Sequence, residues 1–258
     1  MTINISSVNL NYGEVQILKN IDFRIEPGKV VSIVGPNGAG KSSLLDVISG
    51  NVEPSSGEIF YNNVPLKDIT IMERAAIRSV MGQHNHVVYD FTVQDILEMG
   101  WISQNLSSPN NKKFESNLKS ISEECYLTNL LDRKLNKLSG GEQRRVHFAR
   151  GLMQLNNSIN LNHPKYFLLD EPISSMDIYF ELQVMEIIRK IANTGIGVLI
   201  IIHDLNLASK FSDEIILMAK SKVVKTGTPS KVFEEKTLSD VYGLEMKITN
   251  KPLRIYYY

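Results

Sequence analysis

Val30-Val31-Ser32-Ile33-Val34-Gly35-Pro36-Asn37-Gly38-Ala39-Gly40-Lys41-Ser42 is the stretch that decides the fold. Five β-prone, mostly apolar residues run straight into a glycine-rich turn, and helical spacing takes over from Lys41 to about Ser49. Strand, glycine loop and helix in that order open an α/β unit on a parallel sheet. The same order of elements returns late in the chain. Residues 166–169 and 198–202 read as buried strands, with helical material at 179–191 between them, as a crossover between parallel strands requires. Upstream, 3–10 and 21–25 read as short strands punctuated by Tyr12-Gly13 and Pro27-Gly28. The middle differs: from about 91 to 155 the β-rich runs stop and helical spacing replaces them. Val93, Ile96, Leu97 and Gly100 fall on one face, as do Leu118, Ile121 and Cys125. Residues 156–164 are polar and turn-prone, a surface loop, and α/β character resumes near Lys165.

Composition narrows the function. The 258 residues carry 28 basic and 28 acidic side chains, a net charge of zero, so the broad basic field of a non-specific nucleic-acid binder is missing and no nucleic-acid partner is expected. One cysteine, Cys125, cannot form an internal disulfide. The longest apolar runs, 198–202 and 215–219, are far shorter than the roughly 20 residues of a spanning helix. The first six residues have no basic start and no long apolar region. A soluble, cytoplasmic chain without a signal peptide is predicted.

Gly35 to Ser42 fits G-x-x-x-x-G-K-[ST] in full. Glycines there let backbone N–H groups turn inward around phosphates, and the helix start behind them adds its positive end. Lys41 supplies a point charge to the β- and γ-phosphates, and the Ser42 hydroxyl is a ligand for Mg²⁺. Residues 166–169 end in Asp170-Glu171, two acids at the carboxyl end of a buried strand, where ligands bind in open α/β sheets. Asp170 is assigned to Mg²⁺, directly or through its water shell, and Glu171 to polarising the attacking water. The competing reading, an acid pair that merely closes a strand before Pro172, loses force beside a phosphate loop.

These residues resemble the ATP-binding subunits of ABC transporters, and further motifs in the family's order carry the resemblance. Leu138-Ser139-Gly140-Gly141-Glu142-Gln143 matches the signature in its LSGGEQ form; Gln83 is similar to the Q-loop glutamine; Ser174-Ser175-Met176-Asp177 resembles the D-loop; His203-Asp204 resembles the H-loop switch. Tyr12 is similar to the aromatic that stacks on adenine, although an ordinary hairpin aromatic also accounts for it. The family implies a P-loop NTPase fold with an ABC-type α/β ATPase core, an N-terminal antiparallel β subdomain and an inserted helical subdomain. Mapped on this chain, a single ATP-binding domain spans 1–258, with the core at 1–83 and 165–258 and the helical part at about 84–164. The resemblance also implies ATP and Mg²⁺ as ligands. ATP contacts then fall to Tyr12 and to Gly35, Pro36, Asn37, Gly38, Ala39, Gly40, Lys41, Ser42 and Ser43. The metal goes to Ser42, Gln83 and Asp170, and catalysis to Glu171, His203 and Lys41. Ser139, Gly140, Gly141, Glu142 and Gln143 would meet the γ-phosphate held by an opposite subunit, with Asp177 in the D-loop. In the family two ATP molecules are sandwiched between two chains, so with one phosphate loop and one signature here the resemblance implies a homodimer. Three departures from the family pattern, Ser43 and Ile173 in place of threonine and Ser175-Met176 within the D-loop, remove no reacting group.

The short stretch after His203 leaves no room for a separate regulatory domain, which resembles importers of iron chelates, cobalamin and haem. Gln83-His84, Phe91-Thr92-Val93, the run from His203 to Ala208 and the loop at 156–164 are similar to hemin-import ATPases. That resemblance implies two membrane permease subunits, a periplasmic or surface binding protein, and a peripheral station on the cytoplasmic face of the inner membrane. Ferric siderophore or cobalamin import, and an ATPase of iron–sulfur cluster assembly with soluble scaffold partners, stay open as alternatives. His84 and His86 are read as solvated residues rather than haem ligands.

Overall fold

The computed structural model describes residues 2–82, 90–101, 112–156, 163–250 and 252–257. The chain begins with a long hairpin, β1 (Ile3–Tyr12) and β2 (Val15–Ile25), turning at Gly13 with φ 60°. These strands run further than the sequence predicts. Register shifts along β1 and the adjacent apolar pair Ile17-Leu18 blur the period of two. Next come β3 (Val30–Val34), α1 (Lys41–Ser49), β4 (Ser56–Tyr61), β5 (Val64–Pro65), α2 (Ile71–Ile77) and β6 (Arg78–Met81). The middle is helical, as the spacing predicts: α3 (Val93–Gly100), α4 (Lys112–Glu124) and α5 (Gly140–Asn156). Val93, Ile96, Leu97 and Gly100 are all buried, and the backbone of Gly100 lies so close to α5 that a Cβ would stand 2.3 Å from the Arg150 carbonyl. The α/β pattern then resumes with β7 (Tyr166–Asp170), α6 (Ile178–Asn193), β8 (Gly197–Ile201), α7 (Leu205–Phe211), β9 (Glu214–Ala219) and β10 (Lys222–Gly227). Short α8 (Pro229–Val232), α9 (Glu235–Tyr242) and the hairpin β11 (Met246–Asn250) and β12 (Leu253–Tyr257) complete the described chain.

Two sheets organise these elements. The antiparallel one has the order β2-β1-β4-β5; the larger has the order β10-β9-β3-β8-β7-β6, parallel throughout except for β10 at its edge. Its central strands β3, β7 and β8 are buried along their whole length, because both faces are covered. The period of two sorts their side chains. Val31, Ile33, Tyr166, Leu168, Leu199 and Ile201 pack with α1 and the antiparallel sheet. Val30, Val34, Phe167, Leu169, Val198 and Ile200 pack with α5, α6, α7 and the helical part. Asp170 shares the face of Tyr166 and Leu168, which is the α1 side, and that parity aims it at the helix start. Among the described residues no helix is long and apolar enough to cross a membrane.

Candidate nucleotide site

Three adjacent parallel strands, β3, β8 and β7, end on the same rim of the sheet, and each delivers one piece of the site. The ladder continues past their formal ends. Ile202 N–H donates to the Ile33 carbonyl at 3.3 Å, and Glu171 N–H donates to the Ile201 carbonyl at 3.2 Å.

From β3 comes the glycine loop. Gly35 has φ 149°, and a Cβ there would stand 2.1 Å from the Met218 carbonyl of β9, so only glycine lets the loop leave the sheet at this point. Gly40, at φ 95°, is the N-cap of α1 and offers no side-chain cap to the first turn. The open N–H groups and the helix dipole therefore leave an anion site at the mouth of the loop. Lys41 is buried and its Nζ donates to the carbonyls of Gly35 at 2.9 Å and Pro36 at 3.0 Å. Burial lowers its pKa, and the nearby carboxylates of Glu171 and Asp170 act against that shift.

From β7 come the acids. Asp170 is buried, its Oδ1 has no hydrogen-bond partner among the described residues, and burial raises its pKa; the Ser42 hydroxyl and the Arg144 charge offset part of the rise. An orphaned carboxylate oxygen beside a serine hydroxyl is a hard-oxygen pair that suits Mg²⁺, which keeps most of its water and phosphate ligands. Among the described residues no cluster of three or more His, Cys, Asp or Glu forms a metal cage. Because burial disfavours the charged form of Asp170, the group's contribution to stability falls as pH rises from the unfolded pKa to the raised folded one. Asp170→Asn is therefore expected to raise the melting temperature of the nucleotide-free protein by a few degrees at pH 7, and to raise it less near pH 4. Melts at both pH values check this; an equal gain at both would mean that charge burial is not the cause.

Glu171, next in the chain, has φ 49°, a conformation costly for a residue with a Cβ. Its Oε1 lies 2.7 Å from His203 Nε2, the side chain following β8. Facing a carboxylate, that nitrogen donates. Asp204, beside His203, caps α7 by accepting from the N–H groups of Asn206 at 2.7 Å and Leu207 at 2.9 Å, which fixes the turn that presents the histidine.

The two further motifs lie on the helical side. Ser139 and Glu142 form a capping box at the start of α5. Ser139 N–H donates to Glu142 Oε2 at 2.8 Å and Glu142 N–H to Ser139 Oγ at 3.3 Å. The Ser139 N–H holds the Glu142 carboxyl below the usual carboxylate range. Gln143 Nε2 donates to the Leu138 carbonyl at 3.0 Å. Glu142 and Gln143 are thus spent on shaping the turn, while Ser139 and Gly140 remain exposed. Asp177 is the N-cap of α6, accepting from Phe180 N–H at 3.1 Å. Tyr12, at the end of β1, is half exposed. The structure brings Lys41, Ser42, Asp170, Glu171 and His203 together. Gln83, His84, His86 and residues 157–162 lie outside the described residues. Sequence reasoning missed Arg145 and Phe180, whose contact ties α5 to α6; nothing in local spacing announces a pair 35 residues apart.

Comparison with known proteins agrees with this geometry. The profile of the ABC transporter family matches residues 18–174. The chain belongs to the ABC transporter family. As an ABC ATPase it hydrolyses ATP in step with transport. It is 38% identical over 238 residues to the hemin import ATP-binding protein HmuV of Rhodopseudomonas palustris (strain BisB5), covering 92% of this chain and 88% of that protein. It is 37% identical over 239 residues to the protein of the same name in Agrobacterium fabrum (strain C58 / ATCC 33970), covering 93% and 90%. Among solved structures it superposes on the dimeric structure of MJ0796, a bacterial ABC transporter cassette, with TM-score 0.77 and 26% identity over 88% of this chain and 98% of that one.

Proposed function

We propose that this chain is the ATP-binding and ATP-hydrolysing subunit of an importer that drives haem uptake through two membrane permease subunits, from the cytoplasmic face of the membrane. The observation that carries the haem assignment is the 38% identity, across nearly the whole length, to a hemin import ATP-binding protein. In this reading the subdomain limits are those of the sequence: core at 1–83 and 165–258, helical part at about 84–164. A binding protein outside the membrane delivers the substrate, and no nucleic acid takes part.

The roles follow from the site. The N–H groups from Gly35 to Ser43 and the Lys41 ammonium hold the phosphates, with Lys41 exchanging two carbonyls for phosphate oxygens. Tyr12 covers the adenine. Ser42, Asp170 and Gln83 would hold Mg²⁺, whose charge would offset that of the phosphates when bound. Glu171 takes a proton from the attacking water, and His203, hydrogen-bonded to it, keeps that carboxylate aimed. A second copy closes the site by presenting Ser139, Gly140, Gly141, Glu142 and Gln143, with Asp177 alongside.

Two measurements test this. Glu171→Gln protein is expected to double in mass by light scattering when ATP is added and to return to the monomer on its removal, since ATP adds contacts that the free surfaces lack. An unchanged mass would remove the sandwich. In a transporter reconstituted with its permease, haem-loaded binding protein is expected to stimulate hydrolysis where ferric siderophore and cobalamin do not. Stimulation by either of those alone would replace haem as the cargo, and co-purification with a soluble scaffold in place of a permease would replace transport.

A further inference from the structure

The signature turn does not stand alone at the start of α5. A Cβ on Gly141 would lie 2.8 Å from the carbonyl of Ser175, a residue held at φ 64° in the turn between Glu171 and α6. That turn is itself chained to the catalytic strand, since Ser174 N–H donates to the Glu171 carbonyl at 3.2 Å. One turn of helix further on, Arg145 is buried with its guanidinium over the ring of Phe180, 4.0 Å from the centroid. Its Nη1 donates to the carbonyls of Cys125 at 3.2 Å and Tyr126 at 2.9 Å. Among the described residues no carboxylate lies within ion-pair distance of this guanidinium. The Glu142 and Asp177 carboxylates act on this cation from beyond ion-pair distance, yet burial still lowers its pKa, so placing it here costs desolvation that a simple apolar side chain would avoid. The aromatic group extends outward. Phe180 meets Tyr126 edge-on at 5.4 Å and Tyr179 at 5.3 Å, and the hydroxyls of Tyr126 and Tyr179 are 2.9 Å apart. Tyr126 adopts φ 57°, and both tyrosines are about half exposed, so they contribute little core.

We infer that Arg145 and Phe180, braced by Tyr126 and Tyr179, are positioning residues that fix the signature turn against the strand end carrying Glu171, so that the surface one chain offers to the other's nucleotide is set before the two meet. The inference rests on the two-chain sandwich proposed above. Its contacts join three elements at one point: the end of α4, the first turns of α5 and the first turn of α6. None of them touches the phosphate loop, which predicts a division of effects. A single chain keeps its grip on ATP when the group is broken, while ATP-driven pairing weakens, because the signature turn then samples several positions and the cost of ordering it falls on association.

The experiment uses the full chain in the Glu171→Gln background. The ATP concentration for half-maximal dimer formation is read by light scattering, and single-chain ATP affinity by binding at protein concentrations too low for pairing. Phe180→Leu removes the ring and keeps an apolar side chain; Phe180→Tyr keeps the ring. With Phe180→Leu, half-maximal dimer formation is expected to need about tenfold more ATP, the scale of a desolvated cation–π contact counted once per chain. Single-chain affinity should stay within about twofold, and Phe180→Tyr should restore pairing. Tyr179→Ala, at a surface position, is expected to weaken pairing in the same direction with an unchanged melting temperature, and so guards against a folding defect. Pairing of Phe180→Leu and Tyr179→Ala equal to the parent's would overturn the inference, as would a parallel loss of single-chain affinity. Failure of the Glu171→Gln parent itself to pair would instead overturn the sandwich.

Discussion

Replacing Glu171 by glutamine is expected to lower the rate of ATP hydrolysis by about three orders of magnitude while leaving ATP bound at least as tightly as before. Glutamine has the volume of glutamate and can keep the hydrogen bond to His203, whose Nε2 lies 2.7 Å from Oε1. What it lacks is a lone pair basic enough to take a proton from water, and a positioned general base is worth roughly 10²–10⁴ in rate. Binding should not suffer, because none of the phosphate cradle comes from this side chain. Its negative charge acts on Lys41 as a nearby anion, and removing that charge leaves the ammonium freer to pair with the incoming phosphates. Phosphate release under saturating ATP and nucleotide binding by calorimetry check the two halves. A residual rate within tenfold of the parent would reassign the base, and a loss of binding as large as the loss of rate would make Glu171 part of the cradle.

Much of this site is legible in the sequence because the local pattern and the tertiary environment agree. β3 is apolar except for Ser32, β7 is apolar up to its last residue, and the two stop abruptly at Gly35 and Asp170, so the sheet rim where they end can be read before any coordinates. The capping box at Ser139 and Glu142 is likewise a local signal, serine followed three residues later by glutamate. Three kinds of feature are not legible. β4 and β5 are short, and their turn residues Asn62 and Asn63 take positive φ, so neither gives a clear period. The hairpin of β11 and β12 is held at both edges by side chains from elsewhere: Ile248 N–H donates to Glu235 and Ile255 N–H to Asn206. No spacing rule within 246–257 encodes those partners. The geometry around Arg145 depends on which face of α5 meets α6, a choice made by the packing of the whole helical part. Local chemistry was therefore readable for the groups that bind phosphate and metal, whereas the residues that set one motif against another were hidden.

Gly35→Ala is expected to cost the protein both its ATP site and much of its stability, whereas Lys41→Ala should cost only the first. Two separate penalties fall on Gly35. Its φ of 149° lies where side chains are rarely found, and its Cβ would stand 2.1 Å from the Met218 carbonyl, a backbone atom within the paired strand β9. Strain at such a conformation costs roughly 1–3 kcal/mol, and relief of a backbone overlap in a packed core adds roughly 1–3 kcal/mol. For a chain of this size each kcal/mol moves the melting temperature by about 2–4 °C, so a fall on the order of 10 °C follows. The displaced loop also loses the inward N–H groups, and ATP affinity should drop beyond about 100-fold, roughly the value of two charge-assisted hydrogen bonds. Gly38 supplies the contrast. It too has positive φ, at 76°, but among the described residues nothing lies within 4 Å of its would-be Cβ, so Gly38→Ala should cost only about 1–2 kcal/mol of local strain. Lys41→Ala leaves the backbone path intact and removes the ammonium alone, so ATP affinity should fall about 100-fold with a melting shift of a few degrees at most. Thermal melts and nucleotide titrations on the three variants give the order directly. Gly35→Ala melting within a degree or two of the parent would mean that β9 yields to the new methyl group, and the rigid exit of the loop from the sheet would then not be what aims its N–H groups at phosphate.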